Sequence, residues 1–329
     1  MQKFSLAFRL MAIGIGAASI LASSSSSAAE TATSDEASIL KWKDGKKAVF
    51  MLEFDDSCES HINNVIPELI KRGLVGTFYI NPGNGPFLNK KNAWENEIPK
   101  TGMVYGNHTF KHKGAPSVDV LDDELARCND VINQCFPDRK QPRLISFGPP
   151  GGVPWTISKE EKNLLLKKYN LIERPSFFGF PFHAKTKEEL LKLVDNAIAK
   201  GDMGHNDAHG VGGDWLTTPM DIFLALLDKI EENKHILWIT DPISYHQYQT
   251  ERQAANLKVL AKQENQITLQ LTCATDPVLY DLPLTLEMKT PPSWKAASIS
   301  QGSHQITVPV TAGALRFAAT PVTGPITLK

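Results

Sequence analysis

Apolar and polar positions follow a repeating order from about residue 42 to residue 255. Short runs rich in Val, Ile, Phe and Leu alternate with stretches whose apolar positions recur at helical spacing. In the first such pair, residues 47–54 (KAVFMLEF) predict a strand and residues 59–72 predict a helix. Further strands are predicted at residues 75–80, 103–105, 144–147, 171–174, 203–208 and 236–240.

Several of the predicted helices carry start signals in which a hydroxyl residue stands three positions before an acid. These pairs are Ser158 with Glu161, Thr186 with Glu189, and Thr218 with Asp221 behind Pro219. Strands separated by helices pair in parallel. About seven such units predict one α/β barrel-like domain over residues 43–257, with its active site where the strands end.

The last seventy or so residues have a different pattern. ITLQLTC, LPLTLEM, HQITVPV and PITLK alternate apolar with polar residues and lack helical runs. They predict a small antiparallel β domain over residues 258–329, which packs on the barrel or contacts a polymer.

The N-terminus has the order of an export signal. Lys3 and Arg9 precede the apolar run 10–22, and Ser27-Ala28-Ala29 offers small residues for cleavage. The run is too short to anchor the chain in a bilayer. We therefore predict a signal peptide at residues 1–29, a Ser/Thr-rich linker at residues 30–42 and a protein that is secreted or periplasmic, without stable membrane insertion.

The charge balance indicates which class of partner the protein binds, and the cysteine spacing indicates the state of its thiols. Removal of residues 1–29 leaves 33 basic and 36 acidic side chains. This nearly neutral balance without a basic run argues against nucleic acid and is compatible with a glycan. The four cysteines match no zinc or disulfide framework, so mostly free, buried thiols are predicted.

Candidate metal ligands follow two of the predicted strands. Asp55 and Asp56 end the first strand, and a chain that turns there can aim both into the barrel mouth. His108 and His112 lie four residues apart in GNHTFKHKG, a spacing that puts both imidazoles on one side of a helical turn. They follow the third strand and open on the same rim. Asp56, His108 and His112 thus predict a two-histidine, one-carboxylate site for one divalent ion, most simply zinc.

These motifs resemble those of the polysaccharide deacetylases with a NodB homology domain, carbohydrate esterase family 4. The family's Thr-Phe-Asp-Asp-Gly is similar to residues 53–57 (EFDDS), and its His-Ser/Thr-x-x-His is matched in full by residues 108–112 (HTFKH). The resemblance implies an irregular (β/α)7-type barrel, with Asp56, His108 and His112 as metal ligands. It also implies that Asp55 is the general base that takes a proton from the attacking water.

A general acid is needed to protonate the leaving amine. The family's last motif carries a histidine near the end of a late strand, which favours His209 in MGHNDAHGVGGDW. His205, Asp207 and His209 share one face of that strand, so Asp207 is a candidate for orienting or charging one imidazole. His205 is interpreted as a hydrogen-bonded core histidine. Trp215 is expected to wall an acetyl pocket, to stack on a sugar or to fill the core.

The third motif departs from the family pattern Arg-x-Pro-Tyr/Phe-Gly. Phe147 stands in place of the arginine, and Pro150 has no amide proton for an oxyanion. Gly151 is the substitute candidate for the oxyanion, and Arg174 is the substitute candidate for steering Asp55. The family's fourth, aspartate-rich motif has no clear counterpart.

The resemblance implies a secreted metal-dependent hydrolase that removes acetyl groups from N-acetylated sugars of a polysaccharide or oligosaccharide, acting on amide but not peptide bonds. Two alternatives stay open. One is an O-acetyl esterase on glycans of the acetylated xylan type. The other is a non-catalytic glycan-binding relative, which the altered third motif favours.

Overall fold

The computed structural model describes residues 36–175, 186–321 and 323–329. The predicted signal peptide and the linker before residue 36 lie outside these ranges. The rest of the predicted linker contains a strand, β1 (Ala37–Ile39), which pairs with a strand of the C-terminal part. No helix among the described residues is both long and apolar enough to cross a membrane.

A seven-stranded parallel sheet forms the first part of the fold. Its strands are β2 (Ala48–Asp55), β3 (Thr77–Ile80), β4 (Val104–Asn107), β5 (Ile145–Phe147), β6 (Leu171–Glu173), β7 (Met203–Ala208) and β8 (Leu237–Thr240). They run in the order β6-β5-β4-β3-β2-β7, and β8 pairs with the first half of β2. This sheet with its connecting helices confirms the predicted barrel-type α/β fold.

Helices connect most of these strands. They are α1 (Ile66–Arg72), α2 (Gly85–Asn89), α3 (Val118–Cys135), α4 (Lys159–Lys168), α5 (Lys187–Lys200), α6 (Met220–Glu232) and α7 (Pro242–Ala254). A π-helical turn (His61–Val65) precedes α1 within the stretch predicted as one helix.

Two of the three predicted helix starts are confirmed. Complete capping boxes begin α4 at Ser158 and α5 at Thr186. The third is wrong, because α6 is preceded by Pro219 at its N-cap and has no side-chain cap hydrogen bond. The backbone of Thr218 is tied instead into the preceding loop, where its amide donates to Gly210 and its carbonyl accepts from Gly212.

Strand β2 is buried along its whole length and separates two cores. Phe50, Leu52 and Phe54 pack with the helices, whereas Val49 and Met51 pack with the C-terminal strands. Side chains alternate along a strand, so Glu53 and Asp55 lie on the Val49 side. The interior of the barrel is therefore apolar at the start of β2 and polar at its carboxyl end.

The C-terminal part is antiparallel, as predicted. Its strands are β9 (Ala255–Lys262), β10 (Ile267–Cys273), β11 (Leu284–Lys289), β12 (Ala296–Gln301), β13 (His304–Pro309), β14 (Ala314–Ala319) and β15 (Ile326–Leu328). They form two sheets, β1-β11-β14 and β13-β12-β15-β10-β9. The domain boundary after residue 257 stays a prediction.

The four cysteines are free, and three of them are buried. The predicted state of the thiols is confirmed. Cys128 and Cys135 both lie on α3, seven positions apart, a separation of about 10 Å along a helix that a disulfide cannot span.

Candidate metal centre

The two aspartates lie at the end of β2, where the chain turns sharply. Asp55 is the last residue of the strand, and Asp56 and Ser57 follow with φ angles of 73° and 53°. These left-handed values are unusual for residues other than glycine. The Ser57 hydroxyl donates to Asn81 Oδ1 and accepts from the Asn81 amide, both at 3.2 Å, which holds the turn on the end of β3. Both carboxylates consequently face the same rim.

The segment with the two histidines is not helical, so the predicted helical turn is wrong. His108 directly follows β4, and Thr109 and His112 have φ angles of 60° and 56°. The Asn107 side chain accepts from the Thr109 amide at 2.8 Å, and buried Glu124 accepts from the Lys111 amide at 2.6 Å. These side-chain contacts replace helical hydrogen bonds and fold the loop back on itself.

Asp56, His108 and His112 nevertheless converge. One ligand atom from each lies within 4.8 Å of the others. His108 Nε2 and His112 Nε2 are each 3.3 Å from Asp56 Oδ1. Two imidazoles and one carboxylate leave open positions on a divalent ion, which is the donor set of catalytic rather than structural sites.

The state of His108 fits a metal ligand. Its Nδ1 lies 2.7 Å from the Gly148 carbonyl, which can only accept, so Nδ1 carries the proton. The lone pair is then on Nε2, a buried atom without a hydrogen-bond partner among the described residues. Metal-bound histidines are typically held in this way by a carbonyl on the far ring nitrogen.

The electrostatics favour the ligating forms of the other two side chains. Burial acts to raise the pKa of Asp56, but His108 and His112 outweigh it and hold that pKa well below its usual value. Burial lowers the pKa of His112, and the nearby His108 adds to this effect. An ionised carboxylate and a neutral imidazole are the forms that bind a cation.

Asp55 is held beside this cluster by Arg174, which follows β6. Two hydrogen bonds of 2.6 and 2.7 Å join the guanidinium to the carboxylate, and both side chains are 4% exposed. Although burial opposes it, Arg174 and then His108 lower the pKa of Asp55. Asp55 Oδ2 lies 3.8 Å from His108 Nε2. The carboxylate is thus ionised, fixed in orientation and adjacent to the triad.

The altered third motif leaves room for this arginine. Phe147 is fully buried and packs against Trp155, with ring centroids 6.3 Å apart. A Cβ at Gly148 would lie 3.0 Å from Arg174 Cζ and 2.8 Å from the Tyr79 ring. The guanidinium lies 4.3 Å from the centre of that ring. Lack of a side chain at residue 148 therefore lets Arg174 reach Asp55 from another strand.

The structure places Asp207 against Arg174 instead of the imidazole that the sequence predicted. Asp207 Oδ2 lies 3.2 Å from Arg174 Nη2, and its side chain is 2% exposed. Burial raises the pKa of Asp207 well above its usual range, and the charge of Arg174 offsets only part of this. Asp55 is therefore the partner of Arg174 that carries the negative charge.

His209 and Trp215 lie on the other side of the triad. His209 Nε2 is 3.7 Å from Asp56 Oδ2, and the indole of Trp215 donates to the same oxygen at 3.0 Å. Trp215 is 40% exposed, so its side chain lies at the rim and does not fill the core. His61 donates to the His209 carbonyl at 2.6 Å, which fixes the backbone after β7.

Gly151 is exposed, and a Cβ built on it would meet nothing within 4 Å. None of the described contacts joins it to the triad. The carbonyl of the preceding Pro150 accepts from the Trp155 indole at 2.9 Å. The oxyanion role of Gly151 stays a prediction.

The sequence patterns do not reveal Asn81, which contacts a ligand, or Glu53, which is buried in β2. Asn81 donates to Asp56 Oδ1 at 3.2 Å, and its position directly after β3 could have indicated it. Glu53 is fully buried and accepts from the Tyr79 hydroxyl at 2.7 Å, with His205 Nδ1 at 2.9 Å. This pair makes His205 the hydrogen-bonded core residue that the sequence predicted.

The fold is of the β/α barrel type, and a candidate two-histidine, one-carboxylate metal centre lies where its strands end. Residues 43–169 match the family model described as polysaccharide deacetylase. This match confirms, for these residues, the resemblance predicted from the motifs. Members of that family are hydrolases that act on acetyl groups.

Similar proteins were found at low identity. A gellan lyase from Bacillus sp is 26% identical in an alignment 306 positions long, which covers 82% of this chain and 12% of that protein. The chain thus spans about an eighth of the length of this relative. A family 4 carbohydrate esterase from Streptomyces lividans, solved with acetate, is 17% identical with a TM-score of 0.42, over 58% of this chain and 91% of its own.

Two further solved structures are similar to the same extent. The peptidoglycan deacetylase PdaC from Bacillus subtilis is 15% identical with a TM-score of 0.39, over 58% of this chain and 86% of its own. A family 4 pseudoenzyme from Bacillus anthracis is 17% identical with a TM-score of 0.41, over 57% of this chain and 61% of its own.

Proposed function

We propose that this protein is a metal-dependent hydrolase that removes acetyl groups from N-acetylated sugars of a polysaccharide or oligosaccharide. The observation that carries the proposal is the convergence of Asp56, His108 and His112 beside a carboxylate, Asp55, that Arg174 holds ionised. The family match over residues 43–169 supports the acetyl group as the target.

The three ligands would hold one divalent ion, and zinc suits two imidazoles and one carboxylate best. When bound, such an ion polarises a carbonyl and makes water a better nucleophile near neutral pH. Asn81 and Trp215 both donate to Asp56, to Oδ1 and Oδ2 respectively, and so fix the plane of that carboxylate. The carbonyl of Gly148 fixes the ring of His108.

Asp55 is the proposed general base. Its two hydrogen bonds to Arg174 leave lone pairs on both oxygens, and Oδ2 faces the Nε2 atom of His108. A water between the triad and Asp55 would pass its proton to this carboxylate as it attacks the acetyl carbon. Base assistance of this kind contributes about 100-fold to 10,000-fold in rate.

His209 is the proposed general acid. Its Nε2 lies on the rim at 3.7 Å from Asp56 Oδ2, on the side where β7 ends. Protonated there, it would give its proton to the departing sugar amine. The collapse of the tetrahedral intermediate needs such a donor because an amide anion is a poor leaving group.

The exposed indole of Trp215 is the proposed contact for the sugar or for its acetyl methyl group. Its ring stands at the open rim, where an apolar face would otherwise be in water. Asp207 and Arg174 are proposed as positioning residues that act through Asp55. Export by the signal at residues 1–29 is also proposed, and N-terminal sequencing of the exported protein would test it.

Acetate release separates this function from its alternatives. The purified, zinc-loaded protein would be incubated with N-acetylglucosamine oligomers and with acetylated xylan. Release from the oligomers is expected, and it should disappear in Asp55→Asn. Release from acetylated xylan alone would favour the ester reading, and binding of either glycan without release would favour a non-catalytic protein.

A further inference from the structure

A second polar cavity lies at the opposite end of the parallel sheet. It encloses about 400 Å³ and touches Val104 and Tyr105 at the start of β4, together with Ile145 at the start of β5. The metal ligand His108 follows the other end of β4. The cavity is therefore separate from the candidate metal centre. Residues of α7 and of the loop around residues 278–281 also line it.

Two arginines in the cavity wall, exposed Arg139 and half-buried Arg143, form no ion pair within the described residues. Arg139 and Arg143 both contact the ring of Phe136, with Cζ 4.2 and 5.6 Å from its centre. Arg143 donates one hydrogen bond, of 3.3 Å, to Asn133, and its buried Nε has no hydrogen-bond partner within the described ranges. Neither guanidinium forms an ion pair with an acid of the described chain, whereas the adjacent Lys140 pairs with Asp281 at 3.2 Å.

The acids of the cavity are already engaged. Besides Asp281, the lining contains Asp241, which caps α7. Its carboxylate accepts from the amides of Ile243 and Ser244 at 2.9 and 3.0 Å and from the Ser244 hydroxyl at 2.6 Å. Three cations against two acids leave the cavity with one net positive charge. The charge of Asp241 acts to raise the pKa of Arg139, whereas no acid of the described residues acts on the pKa of Arg143. Arg143 is therefore the guanidinium without a counter-charge beside it.

Their proximity is unfavourable without an anion. Burial lowers the pKa of Arg143 to about 10, and the charge of Arg139 adds to the effect. Two like charges in a partly enclosed space repel, and an oxyanion between them would relieve both the repulsion and the open donor on Nε. Apolar side chains also line the cavity, among them Leu144, Ile145 and Val278, and they are called its apolar floor here. A cavity of this size takes a ligand body as well as a single anionic group.

We propose that this cavity binds a compact organic anion, whose carboxylate or sulfate group lies between Arg139 and Arg143 and whose body rests on the apolar floor. The proposal does not depend on the hydrolase function. A uronic acid unit of a glycan and a free inorganic anion share the oxyanion chemistry, and the apolar floor favours the former.

Titration calorimetry at constant ionic strength tests the proposal with glucuronate, sulfate and glucose. Glucuronate should bind, sulfate should bind more weakly because it lacks a body, and glucose should not bind because it lacks the charge. In Arg139→Gln and in Arg143→Gln the affinity for glucuronate should fall at least about tenfold, because each loses a charge-assisted contact. Arg316→Gln removes an exposed arginine that pairs with Glu287 and is the matched control, which should bind like the wild type.

Circular dichroism and thermal melting would verify that each variant is folded, and two independent arginine variants protect the test against the failure of one. Unchanged affinity in both variants would place the anion elsewhere and overturn the site. Lack of saturable binding of glucuronate and sulfate to the wild type up to about 10 mM would overturn it as well. Equal affinity for sulfate and glucuronate would refute the claim that the body of an organic anion rests on the apolar floor.

Discussion

Arg174 holds Asp55 through two hydrogen bonds, although 119 positions separate the two residues in the chain. In the family that this chain resembles, the arginine that steers the base comes from the third motif, where Phe147 stands here. The guanidinium reaches the same carboxylate from the end of the neighbouring strand β6, past a residue without a side chain. An altered motif is therefore compatible with an intact base.

Arg174→Lys should lower the turnover number by about 100-fold, because a lysine makes point contacts and releases the carboxylate from its fixed plane. The bound zinc should stay at one per chain, since the three ligands are unchanged. Steady-state kinetics and metal analysis of the same preparation check both results. Arg316→Lys, on the surface of the C-terminal part, is the control, and full turnover in Arg174→Lys would show that the pairing is not needed.

Loss of a metal ligand should remove the bound zinc, whereas Arg174→Lys should retain it. His108→Ala and His112→Ala should abolish zinc binding and acetate release together, because two protein ligands do not hold the ion. Asp55→Asn should keep the zinc and lose about 100-fold to 10,000-fold in turnover. His304→Ala, in the exposed C-terminal strand β13, is the matched histidine control. Zinc bound at full stoichiometry in both histidine variants would contradict the site.

The sequence predicts those parts of the site that follow directly from the ends of parallel strands. Asp56 and His108 each follow a parallel strand, and such ends meet at one rim whatever the loops do. The rule does not describe the loop itself, so the helical turn predicted for residues 108–112 is wrong. There, the side chains of Asn107 and Glu124 decide the backbone, and Glu124 comes from a helix later in the chain.

Long-range partners are the other part that the sequence does not determine. Arg174 was a candidate for steering Asp55 because it ends a strand, but the sequence contains nothing that fixes the bidentate geometry. Asp207 was expected beside an imidazole because it shares a strand face with His205 and His209. The structure instead places Asp207 Oδ2 3.2 Å from Arg174 Nη2. This neighbour comes from a different strand, so the pattern of one strand face does not reveal it.

Gly148→Ala tests whether the space beside Arg174 matters. The added methyl group would lie 2.8 Å from the Tyr79 ring and 3.0 Å from Arg174 Cζ, closer than such atoms normally approach. We expect a loss of about 1–3 kcal/mol in the free energy of unfolding and a fall in turnover, since the guanidinium must move. Gly85→Ala is the control, because its methyl group would meet nothing within 4 Å. If Gly148→Ala retains both stability and turnover, the guanidinium does not depend on this space.

Glu251 should make stability depend on pH. It is fully buried at the end of α7, where its Oε2 accepts from the Leu282 amide at 3.2 Å. Burial raises its pKa from 4.5 to about 7, and the nearby charge of Asp281 contributes to the rise. Between these two values the folded state keeps a proton that the unfolded state has lost. The contribution of Glu251 to stability is therefore fully present below about pH 4.5 and is lost as the pH rises through about 7.

Glu251→Gln removes this titration. The difference in free energy of unfolding, variant minus wild type, should therefore increase by about 1–3 kcal/mol between about pH 5 and about pH 8. The comparison cancels any constant cost of the amide and the titration of all other groups. Urea denaturation at both pH values measures it, with Glu232→Gln on the surface of α6 as the matched control. A difference that stays constant with pH would show that Glu251 is ionised in the folded protein throughout this range, with an acid of ordinary strength at residue 251.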